Sequence, residues 1–127
     1  MLILIDKNSP FFDKKTAMDG YNRFEKELDY KGDFEHLYKN SMFWNVYNHG
    51  YVGTVFVYQG SKDNNWYLGG WSERKRHKDC VCALKKISDL FEEIYAETHH
   101  VNAVICLKAA GFDWKCRNKG LLIRRKK

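Results

Sequence analysis

Apolar residues recur at intervals of three and four along the second half of the chain. They share one helical face over residues 80–95, and this spacing predicts an amphipathic helix from Cys80 to Tyr95. The aromatic segment 66–71 predicts a strand before this helix, and residues 95–99 predict a short strand after it. Residues 102–110 predict a further helix, which Gly111 ends because glycine adopts positive φ freely. The positions that define the long helical face are Val81, Leu84, Ile87, Phe91 and Ile94.

The first 40 residues predict one strand and two helices. Residues 1–5 are apolar and predict a short buried strand. Thr16 is a suitable N-cap for a helix that runs to about Asp29, and residues 31–32 end it. A brief second helix follows at 34–38, capped by Asp33.

Alternating and β-branched segments then predict a hairpin and a closing pair of strands. Residues 41–47 alternate and residues 51–59 are strongly β-prone, with the turn 48–50 between them. After the last helix, residues 113–116 and 121–125 are extended segments around a polar turn. The element order predicts an α+β fold, a twisted mixed sheet of about six to seven strands with helices on both faces.

Composition indicates one folded domain over residues 1–127. The chain contains 44% hydrophobic residues and one proline, which argues against disorder. Its apolar runs are shorter than the ~20 residues that a membrane helix needs, so we expect no membrane association. The first five residues lack the pattern of a signal peptide, and we expect a cytoplasmic protein, in bacteria or in a virus-infected host cell.

The formal net charge of +6 is concentrated at residues 74–78 and 115–127. Clustered cations attract phosphate groups, either of a nucleotide cofactor or of nucleic acid. A solvated face that keeps the protein soluble explains the same charges equally simply, above all in the tail.

Four cysteines occur, and their spacing does not match a zinc site. Cys80 and Cys82 point in different directions on a helix, because neighbours on a helix face are three or four residues apart. We therefore expect no metal and predict reduced thiols for these two residues, Cys106 and Cys116.

The segment 100–112 resembles a motif of the GNAT superfamily of acyl-CoA-dependent N-acetyltransferases. The motif reads Asn-x-x-Ala-x-x-x-Tyr-x-x-x-Gly-Phe, and Ala103, Gly111 and Phe112 match it, while His100 stands at the Asn position. The resemblance implies a GNAT fold, acetyl-CoA as cofactor and an amine as acceptor. It places the cofactor where the strand at Trp66 and the strand at Tyr95 part.

The family binds the cofactor pyrophosphate with a loop of the form Arg/Gln-x-x-Gly-x-Gly/Ala, which falls on residues 75–80 here. Lys78 and Cys80 then occupy the glycine positions, and cations are added around them. The residues that this resemblance implies for cofactor binding are Trp71, Ser72, Lys75, Arg76, His77, Lys78, Asp79, Cys80, Val81, His100 and Asn102.

The resemblance assigns no catalytic residue. The family often uses a tyrosine on the last helix as general acid, and that position is Leu107, which has no proton to give. The strand at Trp66 carries no carboxylate base. The nearest titratable side chains are Glu73, His99 and Tyr95, which we take as the candidates.

Three functions remain open at this point. The first is acetyl transfer from acetyl-CoA to an amine. The second is a catalytically inactive GNAT-like module that serves as a structural or protein-binding part, similar in pattern to GNAT-like proteins of tailed phages, including an internal virion protein of podoviruses. The third is nucleic-acid binding through residues 74–78, the basic tail and exposed aromatics. The aromatics in question are Trp66, Trp71 and Trp114, although packing in the core and the sheet is the favoured explanation of strand aromatics.

Overall fold

The structure is a computed structural model that describes residues 1–28 and 32–126. Within these ranges, the strands and helices follow one another in the order β1, α1, α2, β2, β3, β4, α3, β5, α4, β6, β7. The helices are α1 (Lys14–Phe24), α2 (Phe34–Asn40), α3 (His77–Ser88) and α4 (Val101–Ala109). The strands are β1 (Ile3–Asp6), β2 (Met42–Tyr47), β3 (Tyr51–Gln59), β4 (Trp66–Ser72), β5 (Glu93–Glu97), β6 (Asp113–Cys116) and β7 (Leu121–Arg125).

The strands of the described residues form one seven-stranded sheet in the order β1-β2-β3-β4-β5-β7-β6. β4 and β5 are parallel, and the other neighbours are antiparallel. Since a parallel pair needs a crossover, α3 connects these two strands. The predicted α+β fold with a mixed sheet is confirmed.

Helices cover both faces of the sheet, as the sequence predicted. On one face α1 and α2 pack with an aromatic cluster, and on the other α3 and α4 pack with an aliphatic one. The aromatic cluster includes Ala17, Tyr21, Phe34, Leu37, Phe43, Phe56 and Trp71. The aliphatic cluster includes Val55, Val57, Leu68, Leu84, Ile87, Ile94, Leu107 and Leu122.

The long helix is displaced from its predicted bounds of 80–95. It begins at His77 and ends at Ser88, where Leu90 N–H and Phe91 N–H bond back over three residues in tight turns. Ile94 lies in β5 and is fully buried. The prediction was wrong because Phe91 and Ile94 continue the helical spacing of apolar residues, although Phe91 lies in a turn and Ile94 in a strand. Phe91 packs against Trp66 with ring centroids 5.6 Å apart.

The N-terminal elements also differ from the prediction. The N-cap of α1 is Asp13, whose carboxylate accepts from Thr16 N–H (3.2 Å), so Thr16 is inside the helix. The helix ends at Phe24 and continues as a 3₁₀ turn, while Asp29 lies outside the described residues. β1 is an edge strand, and Ile3 is 50% exposed instead of buried.

A chain of polar side chains joins β4 to the start of α1. Trp71 Nε1 donates to Tyr51 Oη (3.0 Å), which lies 2.5 Å from Thr54 Oγ1. Thr54 donates to Asn45 Oδ1 (2.8 Å), so the tyrosine hydroxyl donates to Thr54. Asn45 Nδ2 completes the chain at the Asp13 carbonyl (3.0 Å). Because each buried group has a partner, the chain fixes Trp71 without leaving a desolvated polar atom.

Helix α1 approaches Trp71 closely because it carries Gly20. A Cβ at this position would lie 2.2 Å from Trp71 Nε1 and 3.0 Å from Tyr51 Oη. Since both side chains are held by the hydrogen-bonded chain, neither moves aside easily.

We expect Gly20→Ala to destabilise the protein by about 1–3 kcal/mol, the usual range for overpacking a close contact. Without the contact, the same change in a helix would stabilise by about 1 kcal/mol. Urea unfolding measures the difference, and Asn22→Ala, at an exposed position of the same helix, should be neutral or slightly stabilising. A gain in stability for Gly20→Ala would contradict the packing.

Candidate functional site

β4 and β5 pair along only part of their length. Tyr67 pairs with Tyr95 and Leu68 with Ala96, and the parallel register ends there. The rest of β4, from Gly69 to Ser72, continues to pair with β3 on its other side. The sheet therefore opens between β4 and β5, towards the end where α3 begins.

The opening is a cavity of about 710 Å³, which we call the slot. It passes through the sheet, since residues of both faces line it. Its walls on the α3 and α4 face are Ser72, Cys80, Leu84, Ala103, Cys106 and Leu107. On the α1 face they are Phe24, Leu28, Phe56 and Tyr58.

Two glycines form the β4 wall of the slot. A Cβ on Gly69 would lie 2.4 Å from the ring of Phe56, and one on Gly70 would lie 2.4 Å from the Thr54 carbonyl oxygen. Backbone therefore forms this wall. Because β4 has no strand neighbour here, its polar groups on this side are available to a ligand.

The N-terminus of α3 lies at the slot and has free donors. Its first intrahelical bond runs from Cys80 N–H to the Arg76 carbonyl (2.9 Å), and Arg76 gives no side-chain cap. The N–H groups of His77, Lys78 and Asp79 thus have no acceptor within the helix. Such a terminus, with the positive end of the helix dipole, favours an anion.

Exposed cations surround this terminus, while its one carboxylate is directed away. Arg74 and Lys75 are exposed and line the slot. The Asp79 carboxylate accepts from Asn48 Nδ2 (2.9 Å) in the β2–β3 turn and lies 3.3 Å from Arg76 Nε. Its negative charge is therefore neutralised outside the slot.

Arg76 is part of this same arrangement. Its Nη2 donates to the Asn48 carbonyl, so the guanidinium is bound to the hairpin turn although the residue lines the slot. A phosphate at this terminus would meet the backbone of Arg76 more readily than its side chain.

The structure brings most of the residues predicted for cofactor binding to the slot. Lys78, Asp79 and Val81 do not line it, because their side chains project from other sides of the first turns of α3. The residues that do line it are Trp71, Ser72, Lys75, Arg76, His77, Cys80, His100 and Asn102, and their role in binding stays a prediction.

Glu73 is the one candidate catalytic residue that lines the slot, and an arginine holds it. Arg23 donates to both carboxylate oxygens (3.1 and 2.5 Å). These hydrogen bonds lower the pKa of Glu73 below its usual value. A carboxylate with a lowered pKa and both oxygens engaged is a weak general base.

Tyr95 and His99 lie away from the slot. The Tyr95 hydroxyl donates to Glu93 (2.9 Å), and its ring packs on Tyr67 in the paired part of the strands. Burial and the Glu93 hydrogen bond raise the pKa of Tyr95. His99 packs against Gly120, where a Cβ would lie 2.9 Å from its Nε2. Neither side chain reaches a ligand bound in the slot as described.

Sequence reasoning missed a cluster of two thiols and an imidazole in the slot. Cys106 Sγ lies 3.3 Å from His77 Nδ1. Its thiol also interacts with Cys80, which interacts with Ser72. The residues come from β4, α3 and α4, so no spacing along the chain reveals them.

The placement of the aromatic residues bears on nucleic-acid binding. Trp71 is buried, in agreement with the packing favoured from the sequence, and is not able to stack on a base. Trp66 packs on Phe91. The Arg117 guanidinium lies over Trp114, with its Cζ 5.6 Å from the centroid of the tryptophan ring. Within residues 1–28 and 32–126, no group of three or more His, Cys, Asp or Glu side chains is arranged to hold a metal ion. Over the same ranges, no helix has the length and apolar content to cross a bilayer.

The architecture matches solved acetyltransferase structures. An IAA acetyltransferase from Bacillus cereus ATCC 14579 aligns with a TM-score of 0.63 and 5% identity, over 99% of this chain and 100% of that one. N-acetylglutamate synthase from Neisseria gonorrhoeae, complexed with coenzyme A and N-acetyl-glutamate, aligns with a TM-score of 0.61 and 10% identity over 97% of this chain. The chain has the GNAT fold.

A third GNAT structure extends the comparison. Ribosomal-protein-S5-alanine acetyltransferase from Vibrio fischeri aligns with a TM-score of 0.53 and 12% identity, over 98% of this chain and 91% of that one. The present chain spans 35% of the N-acetylglutamate synthase chain. No protein-family model matches the sequence, and no curated protein matches it.

The ion pair at Glu73 makes a prediction on pH. Because the folded-state pKa of Glu73 is lowered, its contribution to the free energy of unfolding is present above the ordinary value of 4.5 and is lost as the pH falls through the folded-state pKa. Glu73→Gln should cost less than about 1 kcal/mol at pH 7, as for other exposed pairs, and nothing once Glu73 is protonated.

Urea unfolding of both proteins between pH 7 and pH 3 measures this difference, with Arg23→Gln as the matched partner variant. A cost that stayed constant over the whole pH range would show that Glu73 acts through packing instead of charge.

The turn before α3 contains a strained residue, Lys75, at φ 67°. Glycine adopts this left-handed conformation freely, whereas alanine does not, so Lys75→Gly should be about 1 kcal/mol more stable than Lys75→Ala. Both variants remove the charge. At Arg74, which has negative φ, the order should reverse, and thermal unfolding of the four variants tests both signs. An equal stability of the two Lys75 variants would contradict the strain.

Proposed function

We propose that the chain binds an acyl-CoA, with acetyl-CoA as the first choice, in the slot and transfers its acyl group to an amine. The observation that supports this most strongly is the parting of β4 and β5 after Leu68 and Ala96 beside an uncapped helix N-terminus. The GNAT fold agrees with it, and the neighbour from Neisseria gonorrhoeae is described as complexed with coenzyme A.

The residues of the slot fit the parts of coenzyme A. The free N–H groups of residues 77–79 and the cations Arg74 and Lys75 suit a pyrophosphate. The unpaired edge of β4 at 69–72 offers backbone donors and acceptors to the amide groups of a pantetheine arm. The aliphatic walls at Leu84 and Leu107 suit its methylene groups.

The chain's own residues would act mainly by positioning. The bound acyl-CoA supplies an activated thioester, whose carbonyl the acceptor amine attacks. Leu107 stands at the position of the family's general acid and has no proton to give. Arg23 is hydrogen-bonded to both carboxylate oxygens of Glu73. We infer that alignment in the slot provides most of the rate, with proton transfers to solvent.

The acceptor would enter from the α1 face. Phe24, Leu28 and Tyr58 form the walls there, and the carboxylates of Glu27 and Glu97 also line the slot. Such surroundings favour an amine on a cationic molecule with some apolar surface. Since an amine must lose its proton before it attacks, activity should rise with pH.

Ligand-dependent thermal unfolding tests the binding step. Acetyl-CoA at 100 times its Kd should add about 2.7 kcal/mol to the free energy of unfolding. Ala103→Phe should abolish the effect, because Ala103 lines the slot from α4 and a phenyl ring there fills it. Val101→Phe, at a 71% exposed position of the same helix, should keep it.

Three outcomes of this experiment decide the proposal. A shift that Ala103→Phe removes and Val101→Phe retains supports it. No shift with the unmodified chain, or a shift that survives in Ala103→Phe, overturns it. The melting temperatures of the two variants without ligand show whether each has folded.

A catalytically silent GNAT-like module is the second candidate function. The specific observation in its favour is that Leu107 stands where the family acid would be and that Arg23 engages both carboxylate oxygens of Glu73. The two candidates differ in enzymatic turnover. A silent module would acetylate no amine at any pH, whether or not it binds acetyl-CoA. A protein partner is then the expected ligand.

A further inference from the structure

Two thiols from different helices face each other in the slot. Cys80 lies in the first turns of α3 and Cys106 in α4, and their thiols interact where both helices line the slot. Both are partly buried against the aliphatic cluster, and both line the slot, so a small molecule can reach them. His77 completes the group from the start of α3, with its Nδ1 3.3 Å from Cys106 Sγ.

The two thiols differ in reactivity. The hydrogen bond from Cys80, together with the charge and hydrogen bond of His77, lowers the pKa of Cys106 to about 6, against the desolvation that opposes it. The same hydrogen bond and burial raise the pKa of Cys80. Cys106 is therefore the nucleophile, because its sulfur lies 3.3 Å from the His77 imidazole and the thiolate is the attacking species; Cys80 is the second thiol.

We propose that Cys106 and Cys80 form a thiol–disulfide exchange site for low-molecular-weight disulfides, which closes to a Cys80–Cys106 disulfide between α3 and α4. The Cys106 thiolate attacks one sulfur of RS–SR, forms the mixed disulfide and releases one RS⁻. Cys80 then attacks the Cys106 sulfur, which releases the second RS⁻. The protons of the two thiols end on two RSH, so RS–SR is reduced as the cysteine pair is oxidised.

The bond would join two walls of the slot. It links the start of α3, where the anion is expected, to the middle of α4, and it fixes the width between them. If the proposed function is right, which this consequence requires, oxidation lowers acetyl-CoA affinity. The exchange chemistry itself needs no acyl-CoA and is measured without it.

The test uses the full chain and oxidised glutathione as RS–SR, with intact mass and peptide mapping as readouts. The expected product has lost two hydrogens and contains a peptide pair linked through Cys80 and Cys106. Cys80→Ser should stop at one glutathionyl group on Cys106, because the serine hydroxyl cannot complete the exchange. Cys82→Ser and Cys116→Ser are matched controls that should still form the bond.

A second comparison separates activation from simple exposure. Serine at position 80 keeps a hydrogen-bond donor to Cys106, and alanine removes it, so at pH 6 Cys80→Ser should acquire glutathione several-fold faster than Cys80→Ala. The proposal is overturned if the unmodified chain gains no disulfide, if the bond involves Cys82 or Cys116, or if the two variants react equally fast. A missing acetyl-CoA shift with a normal disulfide would overturn only the proposed function.

Discussion

β4 loses one of its two strand neighbours half-way along, and the site depends on how the free half is held. Pairing with β3 continues through Ser72, and Trp71 anchors the strand from the α1 face through its hydrogen bond to Tyr51. Gly20 allows α1 close enough to cover that indole. This anchoring matters because an unpaired strand edge is open to pairing with another strand.

The hairpin between β2 and β3 has a second role in the site. Asn48 accepts from Arg76 through its carbonyl and donates to Asp79 through its side chain, so one residue binds both ends of an ion pair at the start of α3. The ion pair neutralises the Asp79 carboxylate, which would otherwise repel an anion at the start of α3. A contact outside the slot thus sets the charge inside it.

The sequence predicted those elements whose pattern and turn chemistry agree. The hairpin 42–59 alternates around a turn in which Gly50 has φ 116°, and both its strands occur as predicted. The end of α3 was wrong because Phe91 and Ile94 continue a helical period from a turn and a strand. The thiol cluster was not predictable from spacing, because tertiary packing alone brings Cys80 to Cys106.

The absence of glycine at positions 78 and 80 changes the backbone less than the loop pattern indicated. Positions 78 and 80 lie inside α3 with helical backbone, so neither requires the conformations that glycine alone adopts. What glycine would give there is space, and Lys78 does not line the slot, so its side chain takes none. Cys80 is small and turns towards Cys106. The residues that depart from the motif therefore leave the N-terminus of α3 open to the slot, and Cys80 supplies one half of the thiol pair.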